Sequence, residues 1–226
     1  MTWDPLWLSY KVALVATVIA LVLGVGLATL LARPRLPGRE IVDALLTIPL
    51  VLPPTVIGFY LLTALGKQSF LGSTFREMFD VRLLFSFRGC VIASSVAALP
   101  MVVKAARVAI EDVDPTLIQA ARTLGAGPVR IFATVTLPLA ARGITAGVIL
   151  GFARALGEFG VTLMIGGDIP GETQTASIYI YDQINSINSS NDAKAYGMIA
   201  VLTSTAFAVL WAANHLNRRR GGAAGH

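Results

Sequence analysis

DPTLIQAARTLGAGPVRIFATVTLP, residues 114–138, is a charged island between long apolar runs, and its spacing sets the reading of the whole chain. Asp114 stands where it can cap a helix whose first turn holds Pro115. Gly125, Gly127 and Pro128 supply the stop, so a short helix is expected within about 114–126. Leu117, Ala120, Ala121 and Leu124 share one face of that helix. A short amphipathic helix of this kind reads as a docking element; the plainer alternative is a loop helix lying flat on a bilayer.

The composition says what surrounds it. Of 226 residues, 55% are hydrophobic and 14% charged, which is outside the balance of water-soluble domains. Crossing ~30 Å of hydrocarbon takes about 20 helical residues. Five stretches reach that length, about Leu8–Ala32, Ile41–Leu65, Leu83–Val103, Ile144–Gly166 and Tyr196–Asn214. The expected class is an all-α membrane protein of about five transmembrane helices, with Thr173–Ile187 available as a sixth short or re-entrant piece. The first apolar run exceeds the core of a signal peptide and ends on Arg33, Pro34 and Arg35, so it is read as a retained span.

Charge between the spans sets the orientation. Arg218–Arg220 close the last span and Arg33, Arg35 and Arg39 the first, which makes both regions cytoplasmic and places the N-terminus outside. The island, with Lys104, Arg107, Arg122, Arg130 and Arg142, falls on the cytoplasmic side. Asp168, Glu172, Asp182 and Asp192 face outward with Lys194. Lys67, Arg76, Arg82 and Arg88 lie near a segment that this topology puts outside and run against the pattern.

Several chemistries find no residues to carry them. Cys90 is the single cysteine, so no disulfide or cysteine metal cluster can form within the chain. His215 and His226 lack acidic or cysteine neighbours at ligand spacing, and no GxxxxGK[ST] phosphate loop is present. RTLGAG follows a helix where a dinucleotide fingerprint follows a strand. Neither a catalytic residue, a metal nor a cofactor is expected on this chain, and no nucleic acid among its partners; any ATP belongs to another subunit.

Gln119, Ala120 and Ala121, then Gly125, then Val135, Leu137 and Pro138 together resemble the cytoplasmic signature of type I binding-protein-dependent ABC importer permeases. Gln119 stands where Glu is usual and Val135 where Ile is usual; both keep the size and surface of the usual residue, although Gln119 lacks the charge. PLVLPPTVIGFYLL at 49–62 and FARALGEFGVTLMIGGDIPGETQT at 152–175 are similar to the molybdate permease branch. The resemblance implies a single permease domain over 1–226, with spans within about 8–214, in a bacterial inner membrane. It implies a homodimer in contact with membrane lipid, two cytoplasmic ABC ATPase subunits and a periplasmic molybdate-binding protein, with Asp114, Gln119, Ala120, Ala121, Gly125, Val135, Leu137 and Pro138 in the ATPase-coupling motif. Sulfate or another small oxyanion is the alternative cargo, and a stand-alone secondary transporter the alternative class.

Two span features bear on a pathway. Pro49, Pro53 and Pro54 leave carbonyls unpaired where no water can reach them, so the second span must bend or break. Thr55 can repair one carbonyl or face a polar path. Arg154 and Glu158, four residues apart, can pair on one helix face as a packing device or can border the route of an anion. Leu137 and Pro138 are expected to reset the chain before the fourth span. Gly24 with Ala28, and Gly143 with Gly147, have small-xxx-small spacing that fits helix packing or a dimer seam. Lys104 and Arg107 are expected to reach lipid phosphates, and the turn-rich GGDIPGETQT loop at 166–175 to face solvent, where a binding protein can dock.

Overall fold

The computed structural model describes residues 3–33, 37–66, 69–70, 72–74, 82–185 and 192–221. In chain order the helices are α1 (Asp4–Leu31), α2 (Arg39–Val51), α3 (Pro54–Leu65), α4 (Phe87–Glu111), α5 (Pro115–Thr123), α6 (Pro128–Leu156), α7 (Gly160–Gly166), α8 (Ala176–Asn185) and α9 (Asp192–Gly221). Four stretches are long and apolar enough to cross a membrane: α1, α4, α6 and Ala195–Ala213 of α9. The bent pair α2–α3 makes a fifth if counted as one span. The described residues contain no strand.

α4 is the axis of the bundle: 67% of its most apolar window is buried, against 11% for α9. Small side chains make that possible. A Cβ on Gly143, Gly147 or Gly151 of α6 would lie 2.5 Å from Ala109 Cβ, 2.5 Å from Ala105 Cβ or 2.8 Å from Val102 Cγ2 of α4. Gly24 of α1 approaches Val102 as closely, at 2.8 Å, while Ala13, Ala16 and Ala20 pack on Ala98, Val102 and Ala155. Lipid tails are as apolar as leucine, so spans gain from close backbone approach and dispersion more than from large apolar groups. The small residues of α1 and α6 therefore serve packing within the chain.

The second span breaks as its prolines require. Backbone at Leu52 and Pro53 is extended, α2 and α3 meet at 115°, and Pro54 sits in the first turn of α3, where a missing N–H costs nothing. Thr55 is exposed and finds no hydrogen-bond partner among the described residues, so it does not repair a freed carbonyl. The third span runs Phe87–Glu111 where Leu83–Val103 was expected. Ser86 Oγ caps it by accepting from Gly89 N–H at 3.3 Å, and the helix continues through Lys104 and Arg107.

The fourth span differs most from the expected Ile144–Gly166. It starts at Pro128, passes through Pro138 without a reset and stops at Leu156. Phe132–Thr136 is π-helical, with Leu137 N–H reaching Phe132 O, and this wider turn accommodates the proline ring without ending the helix. Gly157, Glu158 and Phe159 then interrupt an apolar run that resumes in α7. Hydropathy registers apolar character and is blind to direction.

α8 lies within the 173–187 stretch expected as a short sixth piece; 173–175 belong to the loop before it, and 186 and 187 lie outside the described residues. Ala176 N–H donates to Ser9 Oγ of α1 at 2.8 Å, and the hydroxyls of Tyr10 and Thr205, 2.5 Å apart, join α1 to α9. The 166–175 loop is only partly solvent-facing: Asp168, Pro170, Gly171 and Glu172 are exposed, whereas Thr173, Gln174 and Thr175 are buried. Ile169 O accepts from the N–H groups of Glu172, Thr173 and Gln174, and Asp168 Oδ1 accepts from Gln174 Nε2 at 2.8 Å. Those bonds satisfy the inward-turned Gln174 side chain and the backbone of the turn, whereas the buried Thr175 hydroxyl finds no partner among the described residues. Lys67, Arg76 and Arg35 lie outside the described residues, and so do the side chains of Lys194, Asp192 and Arg218–Arg220.

Candidate functional site

The 114–138 island folds as its local chemistry dictates. Asp114 Oδ1 accepts from Thr116 N–H at 2.8 Å, which starts α5 and holds the carboxyl below its ordinary pKa. At the other end Gly125 is left-handed, with φ +82°. Gly125 N–H donates to Arg122 O at 2.9 Å and Ala126 N–H to Ala121 O at 3.1 Å, a complete Schellman stop.

Tertiary packing then chooses which side of α5 faces the protein. Ile118 packs on the cluster of Ala28, Ala106, Ala109, Ile110, Val113, Ala140 and Ile144, seating α5 on the ends of α1, α4 and α6. Of the face expected to dock, Leu117, Ala120 and Leu124 are exposed and Ala121 is half-buried. Leu124 and Val129 are 87% and 82% exposed, an unusual degree for apolar side chains beside charged ones. Gln119, Gly125, Leu137 and Pro138 are exposed too, and Val135 is half-buried. The island thus presents apolar and polar groups outward from a rigidly capped helix.

Farther along α6, the proline break of the second span and the Arg154–Glu158 segment come together. A Cβ on Gly160 would lie 2.7 Å from Pro54 Cβ, and one on Gly58 would lie 2.6 Å from Met164 Sδ, so the break between α2 and α3 abuts the break between α6 and α7. Arg154 is in the last turn of α6. Glu158 is beyond its end, where a shared mid-span helix face was expected. The pair still closes, with Arg154 Nη1 2.6 Å from Glu158 Oε2. Glu158 Oε1 also accepts from Val161 N–H at 3.0 Å, so one buried carboxylate neutralises an arginine and satisfies the first turn of α7. Two unwound segments and a charged pair thus lie side by side within the spans, where irregular backbone and buried charge have to be satisfied by protein.

One cluster was missed in the sequence. Arg39 Nη2 lies 2.8 Å from Glu111 Oε1; Arg107 reaches the same oxygen through Nε at 3.0 Å and Asp43 Oδ1 through Nη1 at 3.1 Å. Arg107 is therefore engaged with two carboxylates, where lipid phosphate was expected, while Lys104 is exposed. The signal was present as two i,i+4 pairs, Arg39 with Asp43 and Arg107 with Glu111, but their meeting across helices was not visible. No group of metal-binding side chains occurs among the described residues.

With this geometry in view, the family described as "Binding-protein-dependent transport system inner membrane component" matches residues 20–222. The chain belongs to that family. It is similar to the molybdenum transport system permease protein ModB of Escherichia coli (strain K12), 43% identical over 88% of this chain and 87% of that protein. It is also similar to the sulfate transport system permease protein CysT of Salmonella typhimurium, 31% identical over 98% of this chain and 83% of that one. Among solved structures, the inward-facing MetNI methionine ABC transporter superposes with a TM-score of 0.70 over 95% of this chain and 94% of the matched chain, at 18% identity. The fold is that of type I ABC importer permeases. The protein is thus a multi-pass inner-membrane transport subunit and not an enzyme; its family works with a substrate-binding protein and separate ATPase subunits.

Proposed function

We propose that this permease moves molybdate, and tungstate with it, inward across the membrane by alternating access. The observation that carries the cargo is the 43% identity to a molybdenum permease over nearly the full length of both chains, against 31% to the sulfate permease. Sulfate is the second reading, on the strength of that same sulfate relative. Two copies would form the membrane unit, with the N-terminus outside and the C-terminus cytoplasmic, following the charges around the first and last spans.

Residues 114–126 would couple the permease to two ATPase subunits. Leu117, Ala120 and Leu124 would seat in the ATPase, and Asp114, Gln119, Ala121, Gly125, Val135, Leu137 and Pro138 would shape and anchor that surface. The abutting breaks at Pro53–Thr55 and Arg154–Glu158 would form the gate region. There Arg154 would offset the charge of a passing oxyanion and Glu158 would prevent it from binding too tightly. Exposure of the partner-facing residues and burial of Glu158 support these roles.

The test is uptake of radiolabelled molybdate by proteoliposomes holding the chain with its ATPase and binding protein, each omitted in turn, with and without excess sulfate. Uptake that needs all three and resists sulfate supports the molybdate reading. Competition by equimolar sulfate would replace it with the sulfate reading. Arg154→Gln that assembles and transports at the unmodified rate would remove Arg154 from the pathway.

A further inference from the structure

The ion-pair network of Arg39, Asp43, Arg107 and Glu111 stands between two moving parts of the proposed machine. Glu111 is the last residue of α4, and the chain then passes through buried Val113 to Asp114, the cap of α5. Arg39 and Asp43 lie in the first turns of α2, whose other end is the break at Leu52–Pro53. Within this chain none of the residues of α2 is fully buried, and Arg39 and Asp43 are its charged ties to α4.

We propose that this network is a strut: it makes α2 follow the displacement of the coupling helix and carries that displacement to the break that abuts Gly160. Its four members are positioning residues. The geometry favours a stiff link. The Arg107 guanidinium spans two carboxylates with separate nitrogens, and Glu111 Oε1 is shared by two arginines, so no member can move without loading the others. An isolated pair with side chains 27% and 37% exposed would be screened and weak, whereas a closed four-charge set is held at several points. Charge balances within the set, two cations against two anions, so no further partner is required. The break at the far end of α2 converts a push along the helix into rotation about Leu52–Pro53.

The inference rests on the coupling role proposed for residues 114–126 and is independent of the cargo. It is tested in proteoliposomes of the complete complex by measuring molybdate uptake and ATP hydrolysis together. In Glu111→Gln, hydrolysis should stay near the unmodified rate while molybdate moved per ATP falls about fivefold or more, the lower range of coupling between sites. Arg39→Lys should keep the ratio. A Glu111→Gln complex with an unchanged ratio, or with hydrolysis and uptake falling in proportion, would overturn the strut. Should Glu111→Gln not assemble, Arg39→Cys with Glu111→Cys joined by a short bifunctional thiol reagent should recover the ratio lost before joining; no recovery would overturn it. Ala120→Glu, run in parallel, separates the two readings. Hydrolysis and uptake unaffected by Ala120→Glu would remove the coupling role itself, whereas loss in Ala120→Glu with an unchanged ratio in Glu111→Gln would remove the strut alone.

Discussion

Two charged clusters lie along this bundle, and the same chemistry has different consequences in them. At the island end, Arg39, Asp43, Arg107 and Glu111 keep side-chain exposures between 19% and 37%, so water shares the task of solvating them. Roughly 16 Å along α6 from Gly143, at Arg154–Glu158, the carboxylate side chain is 2% exposed and its partner 32%. Glu158 relies on the protein for both its counter-charge and its hydrogen bond; the island-end charges can exchange protein partners for water. The buried carboxylate depends on protein partners alone, whereas the exposed network is held at several points with water beside it.

The comparison can be broken most severely at the seam that holds both clusters. Gly147→Leu places side-chain atoms where Ala105 Cβ already lies 2.5 Å from an added Cβ, which should cost upward of about 3 kcal/mol and eliminate monodisperse protein on size-exclusion chromatography. Gly26, with nothing within 4 Å of an added Cβ, is the control site, and Gly26→Leu should purify normally.

Next in size is Glu158→Ala. Removing the carboxylate strands Arg154 and the Val161 N–H together, a loss of about 2–3 kcal/mol once the partial exposure of the arginine is allowed for, seen as a fall in Tm of about 5–10 °C. Glu158→Gln keeps an acceptor for Val161 and should fall between the two. Arg39→Ala should move Tm by no more than about 2 °C, because its partner Glu111 retains Arg107 and water. Equal shifts for Glu158→Ala and Arg39→Ala would erase the distinction between the clusters.

The smallest effect sharpens the comparison at full exposure. Asp114 in the folded chain binds a proton less readily than in the unfolded chain, so its capping contribution is complete above the usual carboxylate pKa of about 4 and is lost as pH falls through the lower native value. Exchange at the Thr116 amide should therefore gain excess rate only below that range. Asp114→Ala should exchange faster at every pH, and Asp114→Asn, which keeps the acceptor, should show no such transition.

Much of this was legible in the sequence, for a physical reason. The Asp114 cap, the Gly125 stop, the break at Pro53 and the membrane class depend on groups within a turn of each other or on composition alone, and the chain carries that information locally. Close packing of Gly143 and Gly147 was readable from spacing. The family signature was readable because its residues lie on one short stretch.

Other features depend on which elements abut. The face of α5 turned outward was settled by Ile118 finding a cluster from α1, α4 and α6, while Leu117 and Leu124 found none. Continuity of α6 through Pro138 required a π-turn, and its end at Leu156 required a break that the apolar runs on either side conceal. The bond of Arg39 to Glu111, 72 residues away, and the meeting of Pro54 with Gly160 arise only when the spans assemble. The sequence by itself determined a membrane permease with a short capped helix at 114–126, because caps, prolines and apolar runs act over one turn. Tertiary structure alone decided how the breaks and charges face one another, because close approach and ion pairing are properties of surfaces brought together.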